Sequence, residues 1–173
     1  WPESRCFSMQ SNPGDDLVTV TFAAKGLFTN RMTNELKVGK EVWLKMPYGD
    51  IFQREYDKSN CVFIAGGTGI TPFLSLFTHE SFNEYTNPNI YLGFRSKEYN
   101  IYEQELREIR NKLVQISVLY EDIDGSLKIE NIYSDNGDKT YFISGPPIMI
   151  KNFKLYLIET GLEEEKIITD DWE

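Results

Sequence analysis

The sequence predicts an α/β protein: a parallel sheet of five strands from about residue 57 onward, preceded by a β-rich stretch of different character. Three observations point there. Short apolar runs alternate with segments of helical period after Lys58-Ser59-Asn60, and the first of these runs ends in a glycine turn that opens into a helix. Ahead of residue 57 the pattern instead alternates with a period of two.

Taken in order, Leu17 to Phe22 is rich in β-branched residues and reads as a strand, and Glu41 to Lys45 as a second. The later strands are expected at Cys61 to Ala65, Asn89 to Arg95, Gln115 to Tyr120, Lys139 to Ser144 and Lys166 to Thr169. Helices are expected between them at Pro72 to Asn83, Ile101 to Lys112, Ile129 to Ser134 and Ile148 to Thr160, the last stopped by Gly161. This divides the chain into two units, 1–56 and 57–173. Glu163-Glu164-Glu165 is a solvated turn.

Composition narrows the function. A chain of 173 residues can bury one good core, or one full domain plus part of a second. No apolar run approaches the roughly 18 residues that span a bilayer, so a transmembrane segment is not expected. The formal net charge of -9 opposes binding to phosphate backbones and acidic membranes, so nucleic acid is not expected as a partner. Cys6 and Cys61 have no spacing for a disulfide framework or a zinc or iron-sulfur ligand set, which fits a reducing cytoplasm and no metal. His79 is the sole histidine and falls inside an expected helix, which leaves a histidine-rich metal centre or a Ser-His-Asp relay without parts. A hydrolase using Ser144 lacks both a nucleophile elbow and a general base. The opening Trp1-Pro2-Glu3-Ser4 has neither an initiator Met nor a secretion signal, so the chain is expected to be a piece of something longer.

The most specific segment is Cys61-Val-Phe-Ile-Ala-Gly66-Gly67-Thr68-Gly69-Ile70-Thr71-Pro72, a buried strand, a glycine turn and a helix with Pro near its start. Bare backbone before a helix N-terminus cradles an anion: glycines admit a pyrophosphate, and unpaired N–H groups and the helix dipole meet its charge. Thr68 and Thr71 offer hydroxyl donors. Pro72 stands where the third glycine of G-x-G-x-x-G would be, so this is not the usual dinucleotide fingerprint.

Gly-Gly-Thr-Gly-Ile-Thr-Pro instead resembles the pyrophosphate loop of the ferredoxin-NADP reductase superfamily. Tyr141-Phe-Ile-Ser144-Gly145-Pro146-Pro147-Ile-Met149 resembles that family's Cys-Gly-Pro segment beside the nicotinamide ring, with Ser144 in place of the Cys. Arg5-Cys6-Phe7-Ser8 resembles its Arg-x-aromatic-Ser flavin motif. By that resemblance Arg5 neutralises a flavin phosphate, Phe7 stacks on the isoalloxazine ring, and Ser8 hydrogen-bonds near flavin N5. Lys25-Gly26-Leu27-Phe28-Thr29-Asn30 resembles the Gly-x-x-Ser/Thr segment that holds the flavin pyrophosphate, with Thr29 also readable as an N-cap. Met46-Pro47-Tyr48-Gly49-Asp50-Ile51-Phe52 resembles the turn that closes the flavin barrel. Asp171-Trp172-Glu173 resembles the family's acidic-x-aromatic ending, placing Trp172 near the flavin-nicotinamide stack.

The resemblance spans essentially the whole chain, its segments in the family's order. It implies an α/β nucleotide-binding domain with a five-stranded parallel sheet, preceded by the C-terminal half of an antiparallel β-barrel flavin domain. The implied cofactors are FAD and NAD(P)H, and the implied reaction is hydride transfer to the flavin. Electrons then leave to an acceptor protein or a fused iron-sulfur or haem domain, Ser8, Ser144 and Trp172 lining the reacting rings. The alternative is a nucleotide-binding or regulatory subunit of a larger complex without turnover of its own. Family members carry three strands ahead of the Arg-x-aromatic-Ser strand, so a chain of these residues alone is expected to carry little or no FAD. Family members that use NADPH carry a Ser-Arg pair after the third strand of the nucleotide domain. Here Tyr120-Glu121-Asp122-Ile123-Asp124 occupies that place, so Glu121 is expected to favour NADH, against Arg95-Ser96 after the second strand.

Overall fold

The computed structural model describes residues 4–46, 48–134 and 138–170. Helix α1, Leu27–Glu35, precedes strand β1, Cys61–Gly66. There follow α2 (Thr71–Thr78), β2 (Asn89–Phe94), α3 (Glu103–Arg107), β3 (Gln115–Tyr120), α4 (Glu121–Asp124), α5 (Ile129–Ile132), β4 (Thr140–Ser144), α6 (Pro147–Glu159) and β5 (Ile167–Thr169). The strands form one sheet in the order β3-β2-β1-β4-β5 with every neighbouring pair parallel. This is the α/β fold read from the sequence, with each strand end within one residue of expectation.

β1 lies between β2 and β4 with helices on both sheet faces, so its residues Cys61 to Ala65 are all buried and its sequence is an unbroken apolar run. Alternation within β1 feeds two cores. Cys61, Phe63 and Ala65 join one with Phe73, Phe77 and Phe82, while Val62 and Ile64 join the other with Ile150, Phe153 and Leu157 of α6. Phe63 is the hub of the first: it stacks on Phe142 at 4.8 Å and 16° and meets Phe77 edge-on at 5.2 Å.

Three helices are shorter than the periodicity suggests: α5 ends two residues early at Ile132, and competing hydrogen bonds explain the stops of α2 and α3. α2 stops at Thr78 because His79 turns extended and its ring Nδ1 accepts the Ser81 N–H, capping a separate 3-10 turn over Glu80–Glu84. His79 is thus a capping residue between two helical segments, not the middle of one helix. α3 ends at Arg107 because the following backbone bonds sideways: the Arg110 N–H donates to the Phe77 carbonyl. Buried Asn111 donates to the carbonyls of Phe82 and Tyr85 at 2.8 and 2.6 Å and accepts the Leu113 N–H at 2.9 Å.

The first 56 residues differ from the reading in kind. Leu17 to Phe22 and Glu41 to Lys45 do not form ladders; among the described residues ahead of β1 the pairing is a single antiparallel bridge, Met9 to Val20. A strand exists through its neighbours. Val42, Trp43 and Leu44 are exposed, with no described segment laid alongside them as a ladder. Further on, Ile51, Phe52 and Tyr56 pack onto the first core, Tyr56 meeting Phe142 edge-on at 4.9 Å.

Candidate functional site

The glycine turn and the Ser144-Gly145-Pro146 segment, far apart in sequence, are one structure. β1 and β4 pair in register to Ala65 opposite Ser144, so the two turns leave the sheet side by side. Their backbones touch: a Cβ added at Gly69 would lie 2.5 Å from both the Gly145 Cα and the Ser144 carbonyl oxygen. A Cβ at Gly66 would lie 2.9 Å from Pro146 Cδ and Met149 Sδ, and one at Gly145 3.0 Å from the Gly66 nitrogen. Gly66, Gly69 and Gly145 are therefore needed for packing between the turns.

Gly67 is different. Its φ is +55°, in the left-handed region glycine takes freely, and a Cβ there would meet nothing within 4 Å. The space in front of its Cα is therefore open. A 3-10 turn over Gly67–Ile70 runs directly into α2, and Pro72 sits in its first turn. Thr68 is exposed, while Thr71 is buried and its hydroxyl donates to the Thr68 carbonyl at 2.9 Å. Thr71 thus tightens the turn, and its hydroxyl proton is not the free donor the sequence suggested.

Ser144, 2% exposed, donates through Oγ to Asp170 Oδ2 at 3.1 Å, and Ser8 donates to the same oxygen at 3.3 Å. Asp170 follows β5 immediately and is held there by its N–H to the Ile143 carbonyl. Sequence reasoning missed it. It placed the acidic residue of the ending at Asp171, although Asp170 also stands two residues ahead of the aromatic; Asp171, Trp172 and Glu173 lie outside the described residues.

The other flavin-motif residues also gather. The Arg5 guanidinium lies 5.3 Å from the Phe28 ring centroid, and Phe7 packs on Phe28 and Phe22 at 6.4 and 5.9 Å. Phe28 belongs to the first turn of α1, so Arg5 stands by that helix start. Gly26 is the N-cap there, not Thr29: Thr29 lies three positions in, and its hydroxyl accepts the N–H groups of Gly26 and Lys25 at 3.1 and 3.0 Å. This is the returning half of a capping box.

At the same C-terminal ends, on the neighbouring strands β2 and β3, the Asp122 N–H donates to the Arg95 carbonyl at 3.2 Å, which joins the turn after β2 to the turn after β3. Arg95 and Glu121, the two opposing selectivity signals, are therefore neighbours and both exposed, with Ser96 between Arg95 and the next 3-10 turn. The stretch expected as a loop is the short helix α4, and Asp124 within it accepts the Tyr120 N–H at 2.9 Å.

A parallel sheet carrying a glycine turn and a second glycine strand end at adjacent C-terminal ends of β1 and β4 is an architecture of dinucleotide-binding proteins. The chain belongs to the oxidoreductase NAD-binding domain family, whose model matches residues 63–154. The resemblance to the ferredoxin-NADP reductase superfamily holds in the fold. The chain is 29% identical to the reductase component of propane 2-monooxygenase from Rhodococcus jostii over 97% of its length and 51% of that protein's. It is 26% identical to flavohemoprotein A of Dictyostelium discoideum over 82% of its length and 38% of that protein's. It thus spans about half, or less, of these curated relatives. Among solved structures, a ferredoxin NADP+ reductase from Neisseria gonorrhoeae with bound FAD and NADP superposes with a TM-score of 0.82 at 17% identity, over 96% of this chain and 78% of that one. The flavohem-like FAD/NAD-binding domain of nitric oxide dioxygenase from Vibrio cholerae gives 0.78 at 19% identity, over 97% and 76%. Among the described residues no helix is long and apolar enough to cross a membrane, and no cluster of His, Cys, Asp and Glu is arranged to hold a metal.

Proposed function

We propose that this chain is the electron-transfer part of a flavin-dependent NAD(P)H oxidoreductase, passing hydride from NADH to FAD and electrons onward to a protein-bound iron-sulfur or haem centre. One observation carries the reading: Asp170 Oδ2 accepts both the Ser8 hydroxyl of the flavin motif and the Ser144 hydroxyl of the nicotinamide motif. Two segments far apart in sequence, read by one resemblance for the two reacting rings, thereby share one acceptor atom.

The residues suit both groups. Gly67, open in front and backed by Gly66, Gly69 and the Ile70-Thr71-Pro72 helix start, suits a pyrophosphate; Ser144, Gly145 and Pro146 beside it suit the nicotinamide end. Arg5 and the Gly26 to Thr29 turn suit the flavin phosphates, with Phe7 along the ring system and Ser8 at its reacting edge. Bound FAD supplies the chemistry, accepting hydride and releasing electrons singly. The chain's residues position: Ser8 and Ser144, tied to one carboxylate, fix the separation of the two sites. In this reading residues 1–56 are the later half of a flavin barrel and 57–173 the nucleotide domain. Two cysteines outside any disulfide suit the cytoplasm. The names of the relatives, reductase components of oxygenases and flavohemoproteins, favour an oxygenase iron-sulfur centre or a haem as acceptor.

Glu121 accepts a ribose hydroxyl and disfavours a 2′-phosphate, so NADH is the preferred reductant despite Arg95 and Ser96 nearby. The ratio of rates with the two reductants measures this, and an NADPH preference above about tenfold, roughly 1.4 kcal/mol, refutes it. The activity itself is tested by supplying FAD to the chain without oxygen and titrating NADH. Loss of the visible flavin absorption is the expected result. NADH that binds but leaves the flavin oxidised overturns the proposal in favour of a nucleotide-binding subunit.

A further inference from the structure

We propose that the free edge of β3 is a self-association surface, two copies of the chain pairing antiparallel about Ser117 into one continuous sheet. β3 is an outer strand, and its residues Gln115 to Ser117 are exposed. The Gln115 N–H donates to the Pro88 carbonyl, so in this parallel ladder residues 115, 117 and 119 turn their backbone groups toward β2 and residues 116, 118 and 120 turn theirs outward. The Tyr120 N–H is occupied by Asp124. Ile116 and Val118 make no hydrogen bond outside the β2 ladder among the described residues. An edge of this kind is normally blunted by a Lys, a Pro or a bulge. Gln-Ile-Ser-Val-Leu-Tyr contains neither charge nor proline, and Ile116 is 39% exposed.

Register and charge select a second copy as the occupant. A twofold axis at Ser117 sets Ile116 against the partner's Val118, and both turn outward, so the two residues exchange their N–H and carbonyl groups. Val114 then faces the partner's Tyr120, whose carbonyl accepts while its N–H keeps Asp124. The chain flanking β3 is polarised: exposed Arg110 and Lys112 precede the strand, and exposed Glu121, Asp122 and Asp124 follow it. Antiparallel pairing lays the basic end of each copy against the acidic end of the other, twice per dimer, which offsets the general repulsion of two chains of net charge -9. The glycine turn follows β1, two strands in from this edge, and remains open.

Sedimentation equilibrium of the 173-residue chain tests this, a dimer having twice the 20.1 kDa of one copy. Ile116→Pro removes an outward N–H and no β2 bond, and is expected to leave a folded monomer. Lys112→Glu is expected to raise the dimer dissociation constant on the order of tenfold, and adding Asp122→Lys to restore it. In a Cys6→Ser background, Ser117→Cys is expected to form an intermolecular disulfide with an added disulfide oxidant, because directly opposed residues of a non-hydrogen-bonded pair stand about 4.5 Å apart at Cα. Gln115→Cys, which would face the partner's Leu119, is expected not to. A chain that stays monomeric at all concentrations overturns the proposal. So does association of any order that Lys112→Glu leaves unchanged and in which Ser117→Cys fails to cross-link.

Discussion

Gly67 and Gly69 stand two residues apart in one turn, yet the structure gives them separable jobs. Gly69→Ala would set a methyl 2.5 Å from the Gly145 Cα and the Ser144 carbonyl oxygen, both backbone atoms with no rotamer to yield. Ordinary carbon contacts begin near 3.5 Å, so the two turns must part by about 1 Å. Overpacking of this kind costs about 1–3 kcal/mol, and at this chain length each kcal/mol lowers Tm by about 2–4 °C. Gly67→Ala meets nothing within 4 Å, so its structural cost is only the left-handed φ of +55°, about 1–2 kcal/mol for an alanine. Its methyl, however, enters the space assigned to the pyrophosphate. Thermal unfolding and NADH calorimetry on the same samples separate the cases. Gly69→Ala is expected to lose both Tm and affinity, the second because Ser144 moves with the loop. Gly67→Ala is expected to lose at least about tenfold in affinity, more than its change in Tm explains. Parental Tm in Gly69→Ala, or parental NADH affinity in Gly67→Ala, refutes the division.

The remaining expectations concern stability. Phe63→Ala empties the hub between Phe142, Phe73 and Phe77 and should cost about 3–5 kcal/mol in urea unfolding, whereas a loss below about 1 kcal/mol would show that the aromatic cluster closes over the gap. Asn111→Ala leaves the Tyr85 carbonyl without its side-chain donor and the Phe82 carbonyl with the Tyr85 N–H alone, and should cost about 1–3 kcal/mol, with the connection from α3 to β3 exchanging amide hydrogens fastest. Burial pushes the Cys61 thiol up from 9.0 to about 12, with Asp57 adding to the effect, and raises the Tyr102 and Tyr141 phenols from 10.0 to about 12. The fold prefers these groups protonated, so their contribution is intact below about pH 9 and is lost as pH rises toward 12. Tm measured from pH 8 upward should fall through that window, and a flat profile contradicts the burial argument.

The nucleotide domain was legible because its signals are local and agree with one another. An apolar run buried on both faces, a glycine turn and a helix start form one continuous segment from Cys61 to Pro72, and each part constrains the next. Helix ends were less legible because their stops lie in partners: α3 is cut short by bonds from Arg110 and Asn111 to carbonyls of residues 77–85, which no periodicity reports. The β-rich stretch failed in the opposite way. Alternation in Leu17 to Phe22 states a preference for a pleated surface, but a ladder needs a second strand, and a bridge to Met9 is the pairing found among the described residues. Asp170 was missed for a related reason: an acidic residue after a short strand is ordinary in sequence, and it gains significance only when two hydroxyls from positions 8 and 144 converge on it.

The same convergence explains how a stretch with almost no secondary structure of its own can be positioned against a rigid sheet. Three side chains at alternate positions reach into the α/β unit: Ser8 to Asp170 at 3.3 Å, Gln10 to Glu105 at 2.7 Å, and Asn12 to Thr78 at 3.2 Å. Gln10 also accepts the Thr21 hydroxyl at 2.8 Å, so it links the first 56 residues to the α/β unit. The alternate positions remain for other partners, Met9 taking the bridge to Val20. Individually such half-exposed bonds contribute about 1 kcal/mol or less. Their anchors lie after β5, in α3 and in α2, three separate elements, so together they restrict the segment in direction as well as in place. Ser8 is the member nearest the glycine turns, and it shares its acceptor with the residue that ends β4. The placement of residues 5–8 relative to the Ser144-Gly145 turn is therefore set by side-chain anchors after β5, in α3 and in α2.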